Sequence, residues 1–155
     1  MLDIEIEDEA WSSAIAEVQA LAGQAARAAL AGAKAEGDVS VLLTGDDELA
    51  ELNERFRGKL GPTNVLSFPA PESARPHLGD IAVAYGVCAR EAAEQGKPLA
   101  DHLRHLVAHG VLHLVGYDHE TDAEAETMEA LERQVLEGLG VPDPYRLTDA
   151  AAHGH

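Results

Sequence analysis

The chain contains one cysteine, Cys88, in 155 residues. An internal disulfide is therefore excluded, and the composition fits a reducing cytosol. A lone thiol can act as a nucleophile, but Cys88 sits among Ala84, Val87 and Ala89, the surroundings of a small buried side chain. Basic residues are also scarce. Eleven Lys and Arg stand against 28 Asp and Glu, for a net charge of -17. Such a surface favours solubility and opposes indiscriminate binding to nucleic acid, because phosphate binding rests on neutralisation by Lys and Arg. A nucleic-acid substrate would need its cations concentrated at the site, or a partner to deliver it. No apolar run approaches the roughly 20 residues that span a bilayer. The opening Met1-Leu2-Asp3-Ile4-Glu5 has neither the basic start nor the apolar stretch of a signal peptide. A cytoplasmic protein without a membrane partner is expected. No repeat, low-complexity tract or second domain is visible. One domain over 1–150 with its own core suits this length, followed by a frayed tail over 151–155.

The periodicities predict alternating strands and helices. Leu2, Ile4 and Ile6 alternate with Asp3, Glu5 and Glu7, the pattern of a strand with one wet face. An alanine-rich helix is expected over 12–31, with Ile15, Val18, Leu21 and Leu30 among its polar residues. Val39 to Leu43 reads as a second strand. Thr44-Gly45-Asp46-Asp47 carries helix-start chemistry, and that helix bears Leu49 and Leu52 and runs to about Arg55. Val65 to Phe68 and Leu78 to Ala84 are further strands. The proline-rich loop between them holds His77, expected to be exposed, and Asp80 either orients a neighbour or caps a turn. Helices follow over 87–95, ending at Gly96, and over about 98–115, with Pro98 in the first turn. Thr121-Asp122-Ala123-Glu124 matches the capping box of a last helix, which Gly140 and Pro142 end.

The densest chemistry lies in His109-Gly110-Val111-Leu112-His113-Leu114-Val115-Gly116-Tyr117-Asp118-His119. His109 and His113 are four residues apart, so a helix places both rings on one face, one turn apart, where they can share a metal ion. Gly116 can end the helix in a left-handed conformation, and a sharp turn there returns His119 to the same ion. Two histidines at this spacing also occur in ordinary cores. The third histidine after a helix-breaking glycine, and the apolar Val111, Leu112, Leu114 and Val115 around the pair, favour the metal. Three imidazoles leave a fourth position open, which separates catalytic zinc sites from structural ones. His102, His105, His109 and His113 fall within an arc of roughly 80°. His102 is two turns from His109, too far to share its ion. His105 is expected in the pocket wall or behind the ligands.

The spacing matches the long zinc-protease motif H-E-x-x-H-x-x-G-x-x-H, except that Gly110 replaces the glutamate serving as general base. A peptidase of the usual mechanism is therefore disfavoured, while a metal that activates water remains. Arg55-Phe56-Arg57-Gly58-Lys59-Leu60-Gly61-Pro62-Thr63-Asn64 holds three of the eleven basic residues within five positions. It reads either as a solvated turn or as an anion-binding loop, in which Arg57 could bind a phosphate bidentately and stabilise transition-state charge.

Four motifs then suggest a family. Asn53-x-x-Phe56-Arg57-Gly58-Lys59, Pro62-Thr63-Asn64-Val65-Leu66-Ser67-Phe68-Pro69, Leu78-Gly79-Asp80-Ile81 and the histidine stretch from His109 to His119 closely resemble the bacterial YbeY proteins over about residues 40–120. The resemblance implies an α+β fold, a small four-stranded mixed sheet with helices, and a histidine metal site at the end of a central helix. It implies a zinc-dependent, single-strand-specific endoribonuclease that serves 3′-end maturation of 16S rRNA and ribosome quality control. His109, His113 and His119 match the family's metal ligands, and Arg57 matches an arginine important for activity. Arg55 and Lys59 are candidates for RNA binding. Phe56 replaces a common tyrosine and Leu60 a common acidic residue. The cofactor implied is one Zn2+ ion, although imidazole also suits Ni2+ and other divalent ions. Single-stranded RNA, small-subunit rRNA or the ribosome, ribosomal proteins and an assembly GTPase are the implied partners, and presentation of the RNA by the ribosome would reconcile the net charge with an RNA substrate. The alternatives are a metal-dependent hydrolase of another class, peptidase-like or phosphoesterase, and a non-catalytic ribosome assembly factor with a structural metal. Asp118 and Glu120, beside a ligand, are candidates for general base or for support of the ligands.

Overall fold

A computed structural model describes residues 1–118 and 120–143; His119 and the tail 151–155 lie outside the described residues. The period-two stretch at the start forms β1 (Leu2–Ile6), half-buried and exposed in alternation. The alanine-rich region forms two helices where one was expected, α1 (Ala10–Ala14) and α2 (Val18–Gly32). Between them Ile15 is extended and Glu17 is left-handed at φ 54°. The break lets Trp11 bury completely, donating its indole N–H to the Thr44 carbonyl at 2.9 Å and meeting Tyr85 edge-to-face at 5.1 Å. Burial of a large ring with its polar tip satisfied outweighs the modest propensity gained by continuing a helix.

Next come β2 (Asp38–Thr44) and α3 (Asp46–Arg57). Asp46, Asp47 and Glu48 occupy the first turn of α3, and Arg55 and Arg57 the last, each sign complementing the helix dipole. The helix thus runs two residues beyond the expected Arg55, so these two arginines stand on a helix rather than in a loop. After β3 (Val65–Pro69) and a 3-10 turn at Glu72–Ala74, β4 (His77–Ala84) begins one residue earlier than expected. His77 is consequently not a free loop residue: it is half-buried, with Nε2 3.3 Å from Asp80 Oδ1. The remaining helices are α4 (Tyr85–Gln95), α5 (Leu99–Leu114) and α6 (Asp122–Gly138). The capping box of α6 is formed, with Thr121 accepting from the Glu124 backbone and the Glu124 side chain accepting from the Thr121 backbone.

The fold is α+β, with a mixed sheet in the order β1-β2-β4-β3. β1, β2 and β4 run parallel, and β3 pairs antiparallel with β4. Val39, Val41, Leu43, Ile81 and Val83 face a large core shared with α2, α5 and α6, while Ala82, Ala84 and Leu66 face a smaller one under Leu49 of α3. Helix α5 lies against α2 and the sheet. The fully buried Ala22, Ala25, Ala26 and Ala29 belong to the core between them. Gly110 allows the close approach to β4. A Cβ there would stand 3.0, 3.1 and 3.2 Å from three carbons of Ile81. The position that carries a general base in zinc proteases therefore faces the sheet here.

Candidate metal centre and cleft

Helix α5 presents a ladder of imidazoles. Ring centroids are 6.2 Å apart between His102 and His105, 6.2 Å between His105 and His109, and 4.6 Å between His109 and His113. The ladder meets one residue that sequence reasoning missed. Glu132 of α6 is fully buried, beside the buried Met128, Val135 and Leu136 on one face of that helix. A carboxylate in such a place is costly unless its oxygens are hydrogen-bonded. Here Oε1 lies 2.5 Å from His109 Nδ1 and Oε2 lies 3.1 Å from His105 Nε2. The available signal was an acidic residue four positions from Met128 and three from Val135, on the apolar stripe of an amphipathic helix.

His105, His109 and Glu132 bring three potential ligand atoms within 4.8 Å of one another, a possible cation site. The 2.5 Å contact, however, is a short charge-assisted hydrogen bond. Two ligand atoms on a tetrahedral ion with bonds of about 2.0–2.1 Å would stand about 3.3 Å apart. Nε2 of His109 and Nε2 of His113 face each other at 3.0 Å, nearer that separation. With Nδ1–H of His109 directed at Glu132, its Nε2 carries the lone pair, the arrangement by which a carboxylate orients a metal-binding histidine. The donor set thus fits a divalent cation between His109 and His113, with Glu132 and His105 behind.

The pair opens onto a cleft of about 540 Å³ lined by Arg57, Thr63, Asn64, Ser67, His109, His113, Tyr117 and Asp118, among others. Gly116, at φ 105°, ends α5 in a conformation that side chains resist. Its N–H donates to the His113 carbonyl, and that of Tyr117 to Leu112, so the chain reverses and carries Tyr117 and Asp118 into the cleft wall. Arg57 reaches the cleft from the end of α3. Arg55 pairs with Glu51 at 3.1 Å, and neither it nor the exposed Lys59 lines the cleft. Glu120 is exposed and also outside it, as is His105, which reaches Glu132 instead.

A second network supports the wall. Asn64 donates to Glu91 Oε1 at 3.0 Å, and the same oxygen lies 2.9 Å from Nε2 of the buried His102. Burial pushes the His102 pKa down, against the opposing effect of its hydrogen bond to Glu91, so the neutral ring donates Nε2–H to the carboxylate. Burial also pushes the Cys88 thiol up to about 12, with Glu91 adding to the effect and Lys97 opposing it. The thiolate nucleophile needs is thereby suppressed, in keeping with the small buried side chain expected.

A profile of the family described as Endoribonuclease YbeY matches residues 3–140. The endoribonuclease YbeY of Maricaulis maris is 51% identical over 156 residues, which cover 99% of this chain and 97% of that protein. The endoribonuclease YbeY of Dinoroseobacter shibae is 48% identical over 164 residues, covering 93% and 90%. A Thermotoga maritima protein known from its solution structure superposes with a TM-score of 0.56 at 28% identity, over 90% of this chain and 91% of that one.

Proposed function

The chain belongs to the endoribonuclease YbeY family, and on that premise we propose that it is a zinc-dependent, single-strand-specific endoribonuclease of the cytoplasm, acting in 16S rRNA 3′-end maturation and ribosome quality control. One observation carries the reading: Arg57 and the facing Nε2 atoms of His109 and His113 line one cleft although they come from different helices. His109, His113 and His119 would hold the ion. When bound, it supplies Lewis acidity and a water of lowered pKa. The rest falls to the chain's own groups. Glu132 fixes the ring and tautomer of His109. Arg57 binds the non-bridging oxygens of the scissile phosphate and stabilises the charge that grows on them. Asp118 lines the cleft and is the better placed of the two carboxylates considered as general base. Residues 1–150 act as one domain.

The net charge of -17 makes isolated protein a weak binder of RNA, so the ribosome, with ribosomal proteins and an assembly GTPase, presents the substrate. A peptidase reading is opposed by Gly110, whose Cα faces Ile81. The test is metal analysis of purified protein together with cleavage assays on single-stranded RNA, duplex RNA, casein and a simple phosphodiester, before and after chelation. Stoichiometric zinc and chelator-sensitive cleavage of single-stranded RNA alone are expected. Equal cleavage of duplex RNA, or activity on single-stranded RNA that survives complete metal removal, would overturn the reading.

A further inference from the structure

Phe56 is an oddity in this fold. It stands 60% exposed on the last turn of α3, while most large apolar side chains are buried. The ring is nonetheless held. It meets Phe68 edge-to-face, with centroids 5.3 Å apart and planes at 64°, a contact that fixes orientation beyond simple burial. The Arg55 guanidinium carbon lies 5.9 Å from its centroid. Arg57 and Lys59 follow at once, and among the described residues neither forms an ion pair. In a chain of net charge -17, three of eleven basic residues therefore fall within three positions of one exposed aromatic residue. The ring also adjoins the cleft: Arg57 lines it directly, and Phe68 lies in β3 between the cleft-lining Ser67 and Pro69.

We propose that Phe56 is a base-stacking subsite that receives one unpaired nucleobase next to the phosphate held by Arg57. The proposal rests on the RNA reading above and deepens it. A nucleotide in a single strand offers an aromatic face and an adjacent anion, which is the pairing that Phe56 and its flanking cations complement. Every base has a π-face, so this subsite is tolerant of sequence. Bases in a duplex are already stacked on one another and unavailable, so it also supplies a physical source of strand selectivity. A docking site for a protein would need a broader apolar surface than one ring and the exposed Leu60, interspersed in sequence with Arg55, Arg57 and Lys59.

The test compares Phe56→Ala and Phe56→Trp with wild type in steady-state cleavage of an intact single-stranded RNA and of a series carrying one abasic nucleotide at each position around the scissile bond. Melting curves check the fold. Phe56→Ala should raise KM on the order of tenfold, the lower part of the range for losing one base–aromatic stack, with a smaller change in kcat, and Phe56→Trp should restore it. At one abasic position wild type should lose the same factor, and Phe56→Ala should lose nothing further there. Because Trp11 is fully buried, the exposed indole of Phe56→Trp should also report binding by its own quenching. An unchanged KM for Phe56→Ala in an enzyme that cleaves RNA overturns the subsite alone. So do additive losses on abasic RNA, and so does a defect confined to RNA presented on ribosomes, which would assign the ring to a protein contact. A wild-type protein inert toward RNA overturns the parent reading together with the subsite.

Discussion

Glu132 offers the sharpest check on how the centre is built. Its two oxygens hold His109 Nδ1 at 2.5 Å and His105 Nε2 at 3.1 Å, and the side chain is fully buried. Glu132→Gln preserves shape and the capacity for two hydrogen bonds but removes the charge. The bond to His109 becomes an ordinary neutral one, about half as strong, and the basicity of the opposite nitrogen falls. Loss of such a supporting partner typically costs 10–100-fold in metal affinity, equivalent to about 1.4–2.8 kcal/mol. Glu132→Ala is less informative, because two half-buried imidazoles lose that partner, at up to about 1–3 kcal/mol each, and a cavity is left, which together consume much of the stability of a small domain. The assay is competition for zinc against a chromophoric chelator, with thermal melts of both metal-free proteins as the folding control. Glu132→Gln should bind zinc at least tenfold more weakly while melting within a few degrees of wild type. Equal zinc affinity in a folded variant would refute the role given to this carboxylate.

Four further outcomes follow from the geometry. His113→Ala should abolish zinc binding and the zinc-dependent rise in Tm, while His105→Ala should retain both; the reverse result would place the ion among His105, His109 and Glu132. Arg57→Ala should keep fold and zinc but lose on the order of 10²–10³ in kcat on RNA, the scale for one transition-state donor, and unchanged cleavage would remove Arg57 from the mechanism. Burial lowers the His102 pKa below its ordinary 6.5, so the unfolded chain takes up this proton first, and the stability held by the neutral ring is lost as pH falls below about 6.5. In urea unfolding at pH 7.5 and 5.5, His102→Gln should lose less stability than wild type over that interval, and equal losses would contradict this. Gly110→Glu should destabilise by more than the about 1–3 kcal/mol of ordinary overpacking, since the added Cβ alone meets Ile81 at 3.0 Å; a variant as stable as wild type by urea unfolding would show that the position does not face the sheet.

The sequence by itself determined what depends on neighbours along the chain. Alternation at Leu2, Ile4 and Ile6 marked β1, Thr121 and Glu124 marked the start of α6, and the spacing of His109 and His113 put both rings on one helical face. Each is set by the period of a helix or strand or by a local hydrogen bond, so each can be read without knowing the fold. The sheet class and the cleft came from the resemblance of four motifs. Only the tertiary structure decided the rest. It broke the alanine-rich stretch at Ile15 to Glu17 because Trp11 had to reach Thr44, 33 positions away. It turned Gly110 toward Ile81, brought Arg57 to the histidines, and tied Asn64 to His102 through Glu91. It also set Glu132 against His109, 23 positions earlier. These contacts join elements distant in sequence, and whether a buried carboxylate is tolerated depends on what faces it after packing, which no local pattern encodes.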